Sequence, residues 1–141
     1  MSNPLNDIAI ALLTHATNLP AINAGRTGEG GSIPQTPYVE VGDGRGSIVP
    51  YSAGAGGLDE LTAQFFVIVY DRFNGSNPAA QKETLRGVAW DYYKALKADP
   101  SLGGLCDEAR VGSFDADLTE RNGIQYWFMA LEVTVRLEVE T

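Results

Sequence analysis

Side chains able to do chemistry are scarce in this sequence. Its 141 residues hold one histidine, His15, and one cysteine, Cys106. A lone cysteine excludes an internal disulfide and fits a reducing compartment better than secretion. One His and one Cys exclude a zinc site of the usual ligand set. Cations are also few: ten Lys and Arg stand against eighteen Asp and Glu, a formal net charge of −8. Such a chain has no broad attraction for phosphate backbones or anionic lipid, which argues against a dedicated nucleic-acid binder or a polybasic membrane anchor. Long apolar runs are missing too. Ile8–Leu13 is too short to span a bilayer, and Met1–Asp7 lacks the basic start of a signal peptide. The expectation is a soluble product made in the cytosol, without cofactor or metal.

What is present suits one globular domain over residues 1–141, 44% hydrophobic and 20% charged. Leu5, Ile8, Ala9, Leu12, Leu13 and Ala16 recur at helical spacing, predicting a helix over 3–17 with Asn3 as its cap and Pro4 in its first turn. Ten of the sixteen glycines fall between Gly25 and Gly57. Residues 18–57 therefore read as a glycine-rich loop and hairpin region: extended pieces at Pro37–Val41 and Ser47–Tyr51, a turn at Gly42–Gly46, and a second loop at Gly54–Gly57. Few side chains in 22–32 and 53–57 can anchor those segments, so they are expected to be mobile in a free subunit.

Residues 58–72 predict a strand. Phe65–Tyr70 is apolar on both parities, which suggests a central strand covered on both faces. Asn77 and Pro78 open a second helix, 78–98, with a stripe of Leu85, Val88, Ala89, Tyr92, Tyr93 and Leu96. The rest reads as a long hairpin: Leu105–Phe114, a turn near Glu120–Gly123, and Ile124–Glu140, whose Leu131, Val133, Val135, Leu137 and Val139 alternate with polar residues. The fold class is α+β, a mainly antiparallel sheet with two helices packed on it and a long C-terminal hairpin. The expected core is Leu12, Phe65, Val67, Val69, Val88, Tyr92, Leu96, Trp127, Leu131 and Val133.

No pattern makes an active site. A thiol nucleophile needs a base within reach, and acids near Cys106 would raise its pKa. Asp115-Ala116-Asp117 with Glu120 resembles a fragment of a calcium loop, but the register of the later ligands fails. Gly42-Asp43-Gly44-Arg45-Gly46 lacks both the lysine and the following helix of a phosphate loop. The acids of Glu132–Glu140 read as a solvated strand face, although a strand of about seventeen residues would run on the order of 55 Å and must bend or reach a neighbour. The chain is expected to work by contact.

The order of elements resembles the tail terminator, or tail completion, proteins of long-tailed bacteriophages. The resemblance rests on Pro37–Gly42, Leu61–Tyr70, the helix from Ala80 to Leu96 ending in Asp99–Gly104, Arg110–Phe114 and the return strand Tyr126–Glu140. Residues 22–31 depart from it by their length and glycine content. The resemblance implies a virion structural protein. Copies, six of them, would form a ring on the head-proximal end of the tail tube, stop its growth and offer a surface to a head-completion or neck protein, with DNA only passing through. A neck protein, either stopper or adaptor, is the alternative within this class. A small ligand-binding domain or enzyme is the alternative outside it. Candidate interface residues are Asp43 and Arg45 at the glycine turn, and Glu132, Arg136 and Glu138 on the last strand.

Overall fold

In the computed structural model, residues 4–28, 30–50 and 58–140 are described. Helix α1 spans Pro4–Thr17, and Ile8, Leu12 and Ala16 are its buried stripe. The expected Asn3 cap and the Gly54–Gly57 loop lie outside the described residues. Helix α2 spans Pro78–Ala98. The Asn77 side chain accepts from the Ala80 N–H at 3.2 Å, capping a helix whose first residue is a proline with no N–H to satisfy. The chain leaves α2 through Asp99, whose N–H reaches the Leu96 carbonyl. It then turns through Leu102, Gly103 and Gly104, all at positive φ.

Five strands follow the order β1-β2-β3-β5-β4: Ala24–Thr27, Tyr38–Pro50, Leu58–Arg72, Glu108–Arg121 (β4) and Ile124–Glu140 (β5). Among the described residues only β1 is parallel to its neighbour; the other pairings are antiparallel. The fold class is therefore α+β with a mainly antiparallel sheet and a C-terminal hairpin. Asn122 and Gly123, both at positive φ, close that hairpin as a two-residue turn.

One core holds the molecule together. Val39 and Val41 of β2, Phe65, Val67 and Val69 of β3, and Met129, Leu131, Val133 and Val135 of β5 share one sheet face by register. They are buried together with Leu12, Val88, Tyr92 and Leu96 of the helices. The Tyr92 hydroxyl donates to the Leu12 carbonyl at 3.0 Å, tying α2 to α1 inside the core. Burial pushes that phenol's pKa up. Every expected core residue is buried except Trp127, which is half-buried at the margin against Phe73 with the Lys82 ammonium 4.9 Å from its ring centre.

The structure corrects four expectations. Gly42–Gly46 is no turn: β2 runs through it, with a bulge between Asp43 and Gly46. Glycine is needed there because a Cβ on Gly44 would lie 2.9 Å from the Gln64 Cβ and 3.0 Å from its carbonyl. The hairpin partner of β2 is β3, which begins after residue 57. Second, β3 is central but not covered on both faces by helices: Phe66, Ile68 and Tyr70 stay half-exposed on the side opposite α1 and α2. Third, the first hairpin arm begins at Glu108, not Leu105, and continues to Arg121. Fourth, the described residues of 22–32 are not an unanchored loop. They contain β1, and the Gly31 carbonyl accepts from the Arg121 guanidinium at 3.1 Å. A Cβ on Gly25 would lie 2.5 Å from a Val39 methyl, so the absent side chain is what lets β1 lie under α1.

Candidate interaction surfaces

The five residues singled out in the sequence do not gather into one cluster. Asp43 stands opposite Phe65 and Arg45 lies in the β2 bulge. Glu132 is held by the Gln64 amide at 3.0 Å and the Ser113 hydroxyl at 3.3 Å, on the sheet face without helices. Arg136 is exposed, opposite Thr62 on β3 and Glu108 on β4. Glu138 stands directly opposite Glu60, a like-charge pair that an isolated sheet would disfavour. The Asp107 carboxylate accepts from the Glu138 backbone N–H.

The other chemical candidates have local partners. His15 Nε2 lies 2.9 Å from Asp99 Oδ2, joining the end of α1 to the cap of α2. A backbone N–H from Gly103, then His15, lower the Asp99 pKa. Cys106 sits near the Pro100 carbonyl, and burial together with Asp107 and Asp99 pushes its thiol up to about 11. Such a thiol is a poor nucleophile. Among the described residues no group of three or more His, Cys, Asp or Glu is placed to hold a metal ion. Asp115 and Asp117 lie side by side along β4, opposite Ala130 and Phe128. No described helix is long and apolar enough to cross a membrane.

Two features escaped the sequence reading. The first is Glu40, whose side chain is fully buried on the helix-free face. Arg121 grips it with two bonds of 2.8 Å, one to each oxygen, and Arg26 of β1 adds bonds of 2.9 and 3.1 Å. The bond to Glu40 raises the Arg121 pKa, so the cation is secure. Arg121 also lies over the Tyr70 ring at 5.2 Å and Arg26 over Tyr38 at 5.8 Å. Burial in turn raises the Tyr38 phenol. This clasp joins β1, β2 and the tip of the C-terminal hairpin. The sequence signal was a lone charge, Glu40, set between two valines.

The second is an apolar trough of about 540 Å³ between α2 and β4. Trp90, 60% exposed, and Phe114, 67% exposed, stand on its walls over Met129 and Leu131. Trp90 stacks on Tyr93 at 5.4 Å. A smaller hollow of about 380 Å³ shares Tyr93 and Val111 with it and extends past Lys97 and Arg110. A bulge at Gly112 makes the wall. Val111 faces Val133 and Phe114 faces Leu131, so the extra residue shifts parity and turns Phe114 toward the helix side. Trp90 falls beside the α2 stripe, not on it, and a large aromatic at such a position was the sequence signal. Comparison with protein-family models and with curated proteins finds no match for this chain.

Proposed function

We propose that this chain is an assembly protein of the tail-terminator kind: a subunit of a ring, six copies in the arrangement the resemblance implies, that caps a tail tube and receives the head. The observation that carries the reading is the large apolar side chains left on the surface. Trp90, Phe114, Leu118 and Ile48 are exposed while the core beneath is closed. Trp90 and Phe114 adjoin in one trough and Ile48 stands apart on the far end of β2, and exposed apolar groups gathered at such a trough mark contact surfaces. Among the described residues the trough lining holds one cation, Arg86, and no carboxylate, so those residues offer neither a general acid–base pair nor a shifted acid for catalysis. The surplus of acids suits a ring through which DNA passes without sticking, because few cations are on offer to displace phosphate counterions.

The test is to mix the purified protein with tail tubes and image them by negative stain, alongside tail lengths in complementation. Rings on one tube end, and overlong tails when the protein is missing, are expected. Bare tubes and normal tails without it would overturn the reading.

A further inference from the structure

The ends of the long strands carry a second apolar surface that complements the trough. Past Arg136, β5 loses its partner β4, and the sheet continues as a three-stranded arm of β2, β3 and β5. Register places Ile48, Leu61 and Leu137 in one row across this arm, on the same side as the helices. Ile48 is 68% exposed at its edge. Asp59 and Asp43 share that side, so two carboxylates flank the apolar row, against one cation, Arg45, in the adjoining bulge. The charged residues lining the trough and its extension have the opposite balance: Arg86, Lys97 and Arg110 against Glu108.

We propose that the arm of one copy of this chain docks in the α2/β4 trough of the next, Ile48 against Trp90 and Phe114, with Asp43 and Asp59 near the basic rim. The occupant is a second copy for three reasons. The two surfaces match in apolarity and are opposite in charge, which favours register and encounter. Both sit on one rigid sheet, with Leu137 roughly 20 Å along β5 from Leu131 and Ile48 two strand spacings, about 10 Å, to the side, so a chain cannot fill its own trough. Different patches meeting head-to-tail generate a ring or an open filament, as an assembly role requires. The inference rests on the assembly reading for its partner, and it names the surfaces that reading left open.

The experiment uses two exposed-site variants, Trp90→Ser with a crippled trough and Ile48→Lys with a crippled arm, each checked for native circular dichroism. Sedimentation velocity of wild type at rising concentration should show self-association, weakened at least tenfold in either variant. Mixing the two variants should restore one contact per pair and give a dimer but nothing larger, because one intact arm meets one intact trough. High salt should weaken the wild-type association. Wild-type oligomers that survive both substitutions, or a mixture that stays as separated as its components, would overturn the pairing. The failures are separable. Rings that cap tubes despite both substitutions remove the pairing and keep the terminator role. Oligomers that need both surfaces but leave tubes bare keep the pairing and remove that role.

Discussion

The two faces of this sheet are built from the same alternating strands and are held in different ways. The face under α1 and α2 is a close-packed apolar layer, with Val39, Val67, Leu131 and Val133 each at most 1% exposed. No described helix lies on the opposite face. Half-exposed aromatics, Phe66, Tyr70 and Phe128, share that face with one fully buried carboxylate and the two arginines that satisfy it. Burying area is non-directional and tolerates many residues of similar volume. A buried ion pair adds little net stability but accepts only one geometry. The covered face supplies the stability, then, and the open face fixes where β1, residues 30–31 and the hairpin tip lie.

Deleting packing from the covered face should cost most. Leu131→Ala leaves a cavity between β5 and α2 and should lower stability by about 3–4 kcal/mol in urea unfolding. A loss below about 1 kcal/mol would mean that this face collapses easily and that the contrast is wrong.

On the open face, Arg121→Ala strands part of the Glu40 charge with Arg26 alone and should cost about 2–3 kcal/mol, below the value for a pair that loses its sole partner. Replacing Arg26, Glu40 and Arg121 together with Leu, Leu and Met should recover most of that loss. If the triple variant is no better than Arg121→Ala, the clasp contributes stability and not merely placement.

Within the core a single hydroxyl joins the helices. Tyr92→Phe should cost about 1 kcal/mol by leaving the Leu12 carbonyl unpaired, with the fold unchanged by circular dichroism.

The smallest effect belongs to the surface pair of Asp99 and His15. Folding lowers the Asp99 pKa, so its contribution is complete above the ordinary carboxylate range and disappears as pH falls through the lowered folded value. Asp99→Asn should therefore melt slightly below wild type at pH 7, and the gap should shrink as pH falls below the ordinary carboxylate range and vanish once the lowered folded value has been passed. A gap that persists in acid would place the effect in the cap geometry and not in the charge.

Much of the covered face was legible in the sequence. The Asn77-Pro78 start of α2, the alternation of Leu131–Val139 and the Asn122-Gly123 turn each carry their own local physics. The open face was not, because its determinants are distant. Glu40 and Arg121 are 81 residues apart, and no periodicity reports such a pair. The unbroken apolar run Phe65–Tyr70 suggested cover on both sides, yet Phe66 and Ile68 are half-exposed. Glycine misled twice. At Gly42–Gly46 it marks a bulge and a close backbone approach, and at Gly25 it makes room for β1, where composition alone suggested turns and loops. The trough was missed because it needs the Gly112 parity shift, which is invisible until β4 is laid against β5.

The Glu40 clasp also has a consequence in time. Arg121 can reach Glu40 only after β2 has found β3, β3 has found β5 and the last hairpin has closed. Contacts of that separation form late, after the loop-closure entropy of the intervening chain has been overcome. An interaction absent from the transition state leaves the folding rate alone and slows unfolding. The clasp should thus act as a latch against its own breakage: Arg121→Ala, which leaves Glu40 short of a partner, should speed unfolding by as much as it lowers stability and leave the folding rate nearly unchanged.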